Sequence, residues 1–181
     1  MSDPIIVVPY DQGWVSEFRE IGLRLREALG ETALRIDHIG STSVPGLAAK
    51  PVIDIQVSVR SLEPVDVYRH GFEQLGCVFR ADNPERTKRY FREGAGTRRT
   101  HIHVREAGSF GEQFALLFRD YLRAHPDEAD GYANVKMNLM AQFAHDRQRY
   151  VDEKDPYIWA IMRRAGNWSQ SMGWKPGASD L

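Results

Sequence analysis

The chain has 181 residues, 42% of them hydrophobic and 27% charged, with a formal net charge of -1. That length suits one domain with its own core and is short for two; the near-neutral charge gives no general pull on a polyanion, so non-specific nucleic acid binding is not expected. No run approaches the roughly 20 apolar residues of a membrane span, the first residues lack the pattern of a secretory leader, and the single cysteine, Cys77, fits a reducing compartment, so a cytoplasmic protein with no membrane partner is expected.

In chain order, Ile5 to Val8 is a short β-branched run ended by Pro9. Asp11 is placed to cap a helix to about Leu29, with Trp14, Phe18, Ile21, Leu25 and Leu29 at helical spacing and Gly30 as its stop. Leu34 to Ile39 alternates as a strand, with Leu34, Ile36 and His38 on one face. Val52 to Val59 reads as a second strand, carrying Ile53, Ile55, Val57 and Val59 on one side and Asp54, Gln56 and Ser58 on the other. A helix from near Pro64 follows, then strands at Cys77 to Arg80, Thr87 to Arg92 and Arg99 to Glu106, the last two paired as a hairpin across Gly94-Ala95-Gly96. Three helices are expected after Gly108: one ending at His125-Pro126, one over Ala129 to Ala144, and one beginning at Asp155-Pro156. Residues 1–168 are expected to form one domain, a sheet-containing core to about residue 108 under a helical cap, with 169–181 a loosely held tail.

The stretch from His38 to Val57 organises the rest. Gly40 permits a close ligand approach that a Cβ would block, and the hydroxyls and amides of Ser41, Thr42 and Ser43 form a donor surface suited to phosphate oxygens. The same hydroxyls can instead satisfy local backbone groups of a structural turn. Asp54 on the following strand would face a bound phosphate, with Mg2+ joining the two. A P-loop is excluded, because Gly46 lies too far from Gly40 and Lys50 is followed by proline. His101 and His103 project to one face of their strand. Such a pair can bind Zn2+, contact phosphate as imidazolium, or serve in acid–base work.

Gly40-Ser41 followed by a strand bearing Asp54 resembles the signature of the DNA polymerase beta-like nucleotidyltransferase superfamily. More narrowly, G-S-T-S-V-P-G-L-A-A-K-P-V-I-D-I resembles the GrpB family, a bacterial group, over nearly the whole chain. The resemblance implies an α/β (α+β) fold, a mixed sheet with flanking helices and a helical cap. It implies binding of a nucleotide or phosphorylated small molecule with a divalent metal, Mg2+ or Mn2+ or else Zn2+, and transfer of a nucleotidyl group to a small acceptor. Asp54 matches the superfamily's first metal ligand and the candidate catalytic residue, whereas Gln56 stands where a second acid is usual. His101 to Val104 matches a His-x-His-Val strand of the GrpB family, adding His101 and His103 as assisting ligands beside Gln56. By the same resemblance Arg89 is the first choice for a phosphate contact, Lys50 the second, and Lys154 lies in a GrpB-like stretch that would close the cleft. Two rival readings are a non-catalytic binding domain with a protein partner in coenzyme A metabolism, where GrpB-like domains are fused to dephospho-CoA kinase, and a metal-dependent hydrolase centred on the histidines.

Overall fold

The computed structural model describes residues 4–181. Helix α1 (Gly13–Leu29) leads into strand β1 (Arg35–Ile39), and the Ser41–Ser43 turn connects it to β2 (Ile53–Val59). Helix α2 (Asp66–Gln74), short β3 (Val78–Phe79), β4 (Arg89–Arg92) and β5 (Thr100–Glu106) complete the first part, and α3 (Phe110–Ala124), α4 (Pro126–Phe143) and α5 (Arg147–Met172) form the second. The five strands make one mixed sheet in the order β1-β2-β5-β4-β3, antiparallel except where β2 and β5 run parallel. Helices α1 and α2 cover one face, where Ile53, Ile55, Val57, Ile102, Val104 and Phe91 meet Trp14, Phe18, Leu25 and Phe72. The cap has its own apolar core, built from Leu122, Tyr132, Ile161 and Ala165 around Val44 and Leu47.

Alternation in β2 and β5 and the β4–β5 hairpin follow the sequence pattern. Two boundaries do not. The second cap helix starts at Pro126, three residues earlier than its apolar spacing indicates, because proline is well placed in a first helical turn. The third begins at Arg147 rather than Asp155: the Asp146 carboxylate accepts from the Arg149 amide at 3.0 Å, and Pro156 lies inside a continuous helix. A proline read locally as a start is here tolerated in the interior, held by buried Tyr150 before it and Ile161 after it.

The tail is the largest departure. Residues through Met172 extend α5, and the chain then returns to the outer edge of β1. Ser179 Oγ accepts from the Ile36 amide at 2.8 Å, and the Asp180 carboxylate accepts from the His38 amide at 2.9 Å. The Leu181 amide donates to the Ile36 carbonyl, and its side chain packs against the α1–sheet core. Polar composition suggested a loose segment; an edge strand with unpaired backbone groups supplies the partners that hold it.

Candidate active site

The register of β2 against β5 sets Asp54 opposite His101 and Gln56 opposite His103. Their side chains leave the sheet on the face away from α1, so the parallel pairing alone gathers one carboxylate, one amide and two imidazoles. The Asp54 Oδ1 atom lies 3.1 Å from His101 Nδ1 and 3.6 Å from His103 Nε2. One donor atom from each of the three residues falls within 4.8 Å of the others. Burial by itself would raise the Asp54 carboxyl, but the contacts with His101 and His103 outweigh it and hold the group well below the usual carboxylate range. The His103 imidazole is pushed down by burial, with Asp54 offsetting part of that.

Among the described residues, two buried atoms here, Gln56 Oε1 and His101 Nε2, have no hydrogen-bond partner. Unpaired polar atoms are rare in protein interiors and point to a group that completes them. The donor set of two imidazoles and a carboxylate fits a divalent transition metal with open coordination positions. Glu112 and Glu85, the other nearby acids, are committed elsewhere. Glu112 is buried and bonds Ser58 Oγ and the Gly108 amide, and Glu85 pairs with Lys88, Arg105 and Thr87.

The Gly40-Ser41 turn lies directly over Asp54. Gly40 has φ +70°, and a Cβ there would sit 2.7 Å from Asp54 Oδ2, so both backbone conformation and contact require glycine. Gly40 and Ser41 line a cavity of about 680 Å3 with Asp54, Gln56, His103 and Lys154, within the usual size range of ligand pockets. Thr42 and Ser43 do not join them. The Thr42 hydroxyl is buried against His38 Nε2 at 3.0 Å and the Val52 carbonyl, and Ser43 Oγ donates to the Gly40 carbonyl at 2.6 Å. For these two residues the hydroxyls shape the turn from within rather than reaching the cavity.

Arg89 is also displaced from its expected role. It pairs with Val104 in the hairpin register and therefore projects to the α1–α2 face, where it binds Glu63. Strand parity instead gives Lys88, together with Arg105 of β5, to the cavity wall. Lys50 and Lys154 lie over the Tyr150 ring, 5.1 and 5.3 Å from its centroid. Burial, with help from Arg147, Lys154 and Arg99, lowers Lys50 to about 8, and burial lowers Lys154.

Lys136 escaped the sequence reading. Its ammonium is buried and donates to Ser41 Oγ at 2.9 Å and to the Ala48 carbonyl, tying α4 to the turn; burial lowers it to about 7. A weak signal exists: Tyr132, Lys136 and Leu139 fall at i, i+4 and i+7, which sets a lysine on the helix's inward stripe.

The profile of the GrpB family, described as GrpB protein, matches residues 4–164. The chain belongs to the GrpB family. It is similar to a solved GrpB protein from Enterococcus faecalis, at 37% identity and a TM-score of 0.81, covering 88% of this chain and 96% of that one. It is also 37% identical to a dephospho-CoA kinase of Mycolicibacterium paratuberculosis, across 96% of this chain and 49% of the kinase. The chain spans about half the length of the first curated relatives it matches. More distantly, it resembles the Cid1 poly(U) polymerase solved with MgGTP, with a TM-score of 0.53, 14% identity, and coverage of 78% of this chain and 45% of that one. At that identity the likeness concerns the fold, and it gives this GrpB sheet and its helices a nucleotidyltransferase-like architecture.

Proposed function

We propose that this GrpB protein binds a nucleotide, or a related phosphorylated small molecule, with a divalent metal held by Asp54, His101 and His103, and transfers the nucleotidyl group to a small acceptor. The observation that carries this reading is the convergence of those three side chains directly beneath the Gly40-Ser41 turn. Ser41, steadied by Lys136, and the Gly40 region would receive the phosphates, with Lys154 and Lys88 on the walls. When bound, the metal would align phosphate oxygens and offset their charge. Two imidazoles and one carboxylate make a softer donor set than the oxygen ligands Mg2+ favours, so Mn2+ or Zn2+ is the better fit. Gln56 would direct its unpaired Oε1 toward the same site, as a neutral acceptor where a second acid is usual.

A second reading, a binding domain without turnover that assists a partner, has its own support. The cluster holds a single carboxylate, and the curated relatives include a protein named dephospho-CoA kinase of which this chain covers about half. Thermal-shift measurements with Mn2+, Zn2+ or Mg2+, each with and without ATP, UTP and dephospho-CoA, would test the binding shared by both readings. Ligand at 100 times its Kd should stabilise the fold by about 2.7 kcal/mol. A metal-dependent shift that disappears in Asp54→Ala is expected; an undiminished shift in that variant would remove the assignment. Release of pyrophosphate from a bound nucleoside triphosphate with candidate acceptors then separates transferase from binder.

A further inference from the structure

The cavity over Asp54 has two chemically different ends. One is the metal-binding cluster with its phosphate turn. At the other, Phe110 and Phe114 of α3 and Trp159 of α5 form an aromatic shelf, with ring centroids 5.7 Å apart for Phe110–Phe114 and 5.3 Å for Phe114–Trp159. Phe110 is 73% exposed and Trp159 50% exposed. Large aromatic rings left uncovered beside a polar cluster mark a place where a ligand supplies the missing contact.

We propose that this shelf is the subsite for a flat ring carried by the phosphorylated ligand, and that it holds the ring by stacking without reading its hydrogen-bonding edge. The proposal rests on the function stated above, because it is continuity with the Asp54 end that identifies the occupant as part of the same ligand. A diphosphate esterified to a ribose and a planar base has its charge at one end and its π-face at the other, matching the two ends of one cavity of about 680 Å3. The absence of edge reading follows from three polar side chains that line the cavity with the shelf, Glu85, Arg105 and Ser109, which are already engaged. The Glu85 carboxylate accepts from Lys88 at 3.0 Å and from the Thr87 hydroxyl at 2.8 Å, and it also binds Arg105. Arg105 is turned onto Glu85 and Thr87. The Ser109 hydroxyl caps α3 by accepting from the Glu112 amide. What remains for the ring is aromatic surface, which every base can use.

Isothermal titration in the presence of Mn2+, with pyrophosphate, ADP and GDP as probes, tests this on wild type, Trp159→Ala and Trp159→Phe. Wild type should bind ADP and GDP within about threefold of each other and each at least about tenfold more tightly than pyrophosphate, the order of a single stacking contact. Trp159→Ala should erase most of that advantage while leaving pyrophosphate binding unchanged, and Trp159→Phe should recover much of it. Equal wild-type affinity for ADP and pyrophosphate, or an equal loss for both in Trp159→Ala, would overturn the shelf while leaving the metal–phosphate site standing. A tenfold preference for one purine would overturn stacking without edge reading. Failure of both pyrophosphate and ADP to bind would overturn the proposed function first, and the shelf with it.

Discussion

The two faces of strand β2 are both largely hidden from solvent and chemically opposite. Ile53, Ile55 and Val57 on one side are fully buried, and so are Gln56 and Ser58 on the other. The apolar face does what a central strand ordinarily does, packing against α1 and α2 in the main core. The polar face has to satisfy each group it buries, and it succeeds only in part. Ser58 is bonded to Glu112 and Asp54 contacts two histidines, but one atom of Gln56 has no partner. An unsatisfied buried acceptor costs about 1–3 kcal/mol. One face is therefore organised for stability, and the other gives up stability to bury polar groups that it does not fully satisfy.

Substitutions on the two sides of this one strand should separate those roles. Ile55→Ala, which empties a fully buried site against α1, should lower stability by about 2–5 kcal/mol in urea denaturation. At a temperature where the variant is folded, its metal affinity should stay near wild type. Asp54→Asn keeps the volume and some hydrogen bonding, so its metal-free stability should change by only about 1 kcal/mol. It should lose the metal-dependent stabilisation, about 2.7 kcal/mol at 100 times the wild-type Kd. If Ile55→Ala abolished metal binding in the folded state, or Asp54→Asn kept it, the division between the faces would fail.

The next effect is smaller and depends on pH. Lys136 is pulled by burial from 10.5 to about 7 in the folded protein. Between these values the unfolded chain binds a proton that the folded chain does not, so stability rises with pH, by up to about 1.4 kcal/mol per unit. Lys50, lowered to about 8, adds a contribution of the same sign only from about pH 8 upward. Urea denaturation between pH 7 and 8 should therefore show a rising stability that Lys136→Met flattens. The same slope in that variant would show that the lysine under the Gly40-Ser41 turn is not the titrating group.

What the sequence disclosed follows the range of its signals. The Asp54, His101 and His103 set was readable because period-2 alternation fixes which side chains share a face, and the parallel register then brings those faces side by side. Alternation could not say which face of β4 looks into the cavity, since Lys88 and Arg89 both carry positive charge; the pairing with β5 decides it, and it favours Lys88. The hydroxyls of the turn look alike in sequence, yet Ser41 meets the cavity while Thr42 and Ser43 bond the backbone beneath it. Lys136 lies 95 residues from its partner Ser41, so no local pattern joins them. The start of α5 was misplaced for the opposite reason: a local proline signal was strong, and tertiary packing overrode it.

The tail is where polarity misled most, and its anchoring makes the smallest of the expected effects. The Asp180 carboxylate accepts from the His38 amide at 2.9 Å and from Arg119 Nη1 at 3.0 Å, and Arg119 also donates to the His38 carbonyl. His38 in turn bonds Thr42, so the strap reaches the back of the Gly40-Ser43 turn through two side chains. Asp180→Asn keeps an oxygen for the His38 amide and removes only the charge opposite Arg119, which retains Asp37 and Asp120 as neighbours. A loss of about 0.5–1.5 kcal/mol is expected, the scale of one hydrogen bond. Hydrogen exchange distinguishes a local strap from a general one: the Ile36 and His38 amides should lose protection in the variant, while the Ile55 and Ile102 amides at the sheet centre exchange as in wild type. Equal loosening at the centre would mean that Asp180 supports the whole sheet; unchanged exchange at His38 would mean that the carboxylate does not hold the edge at all.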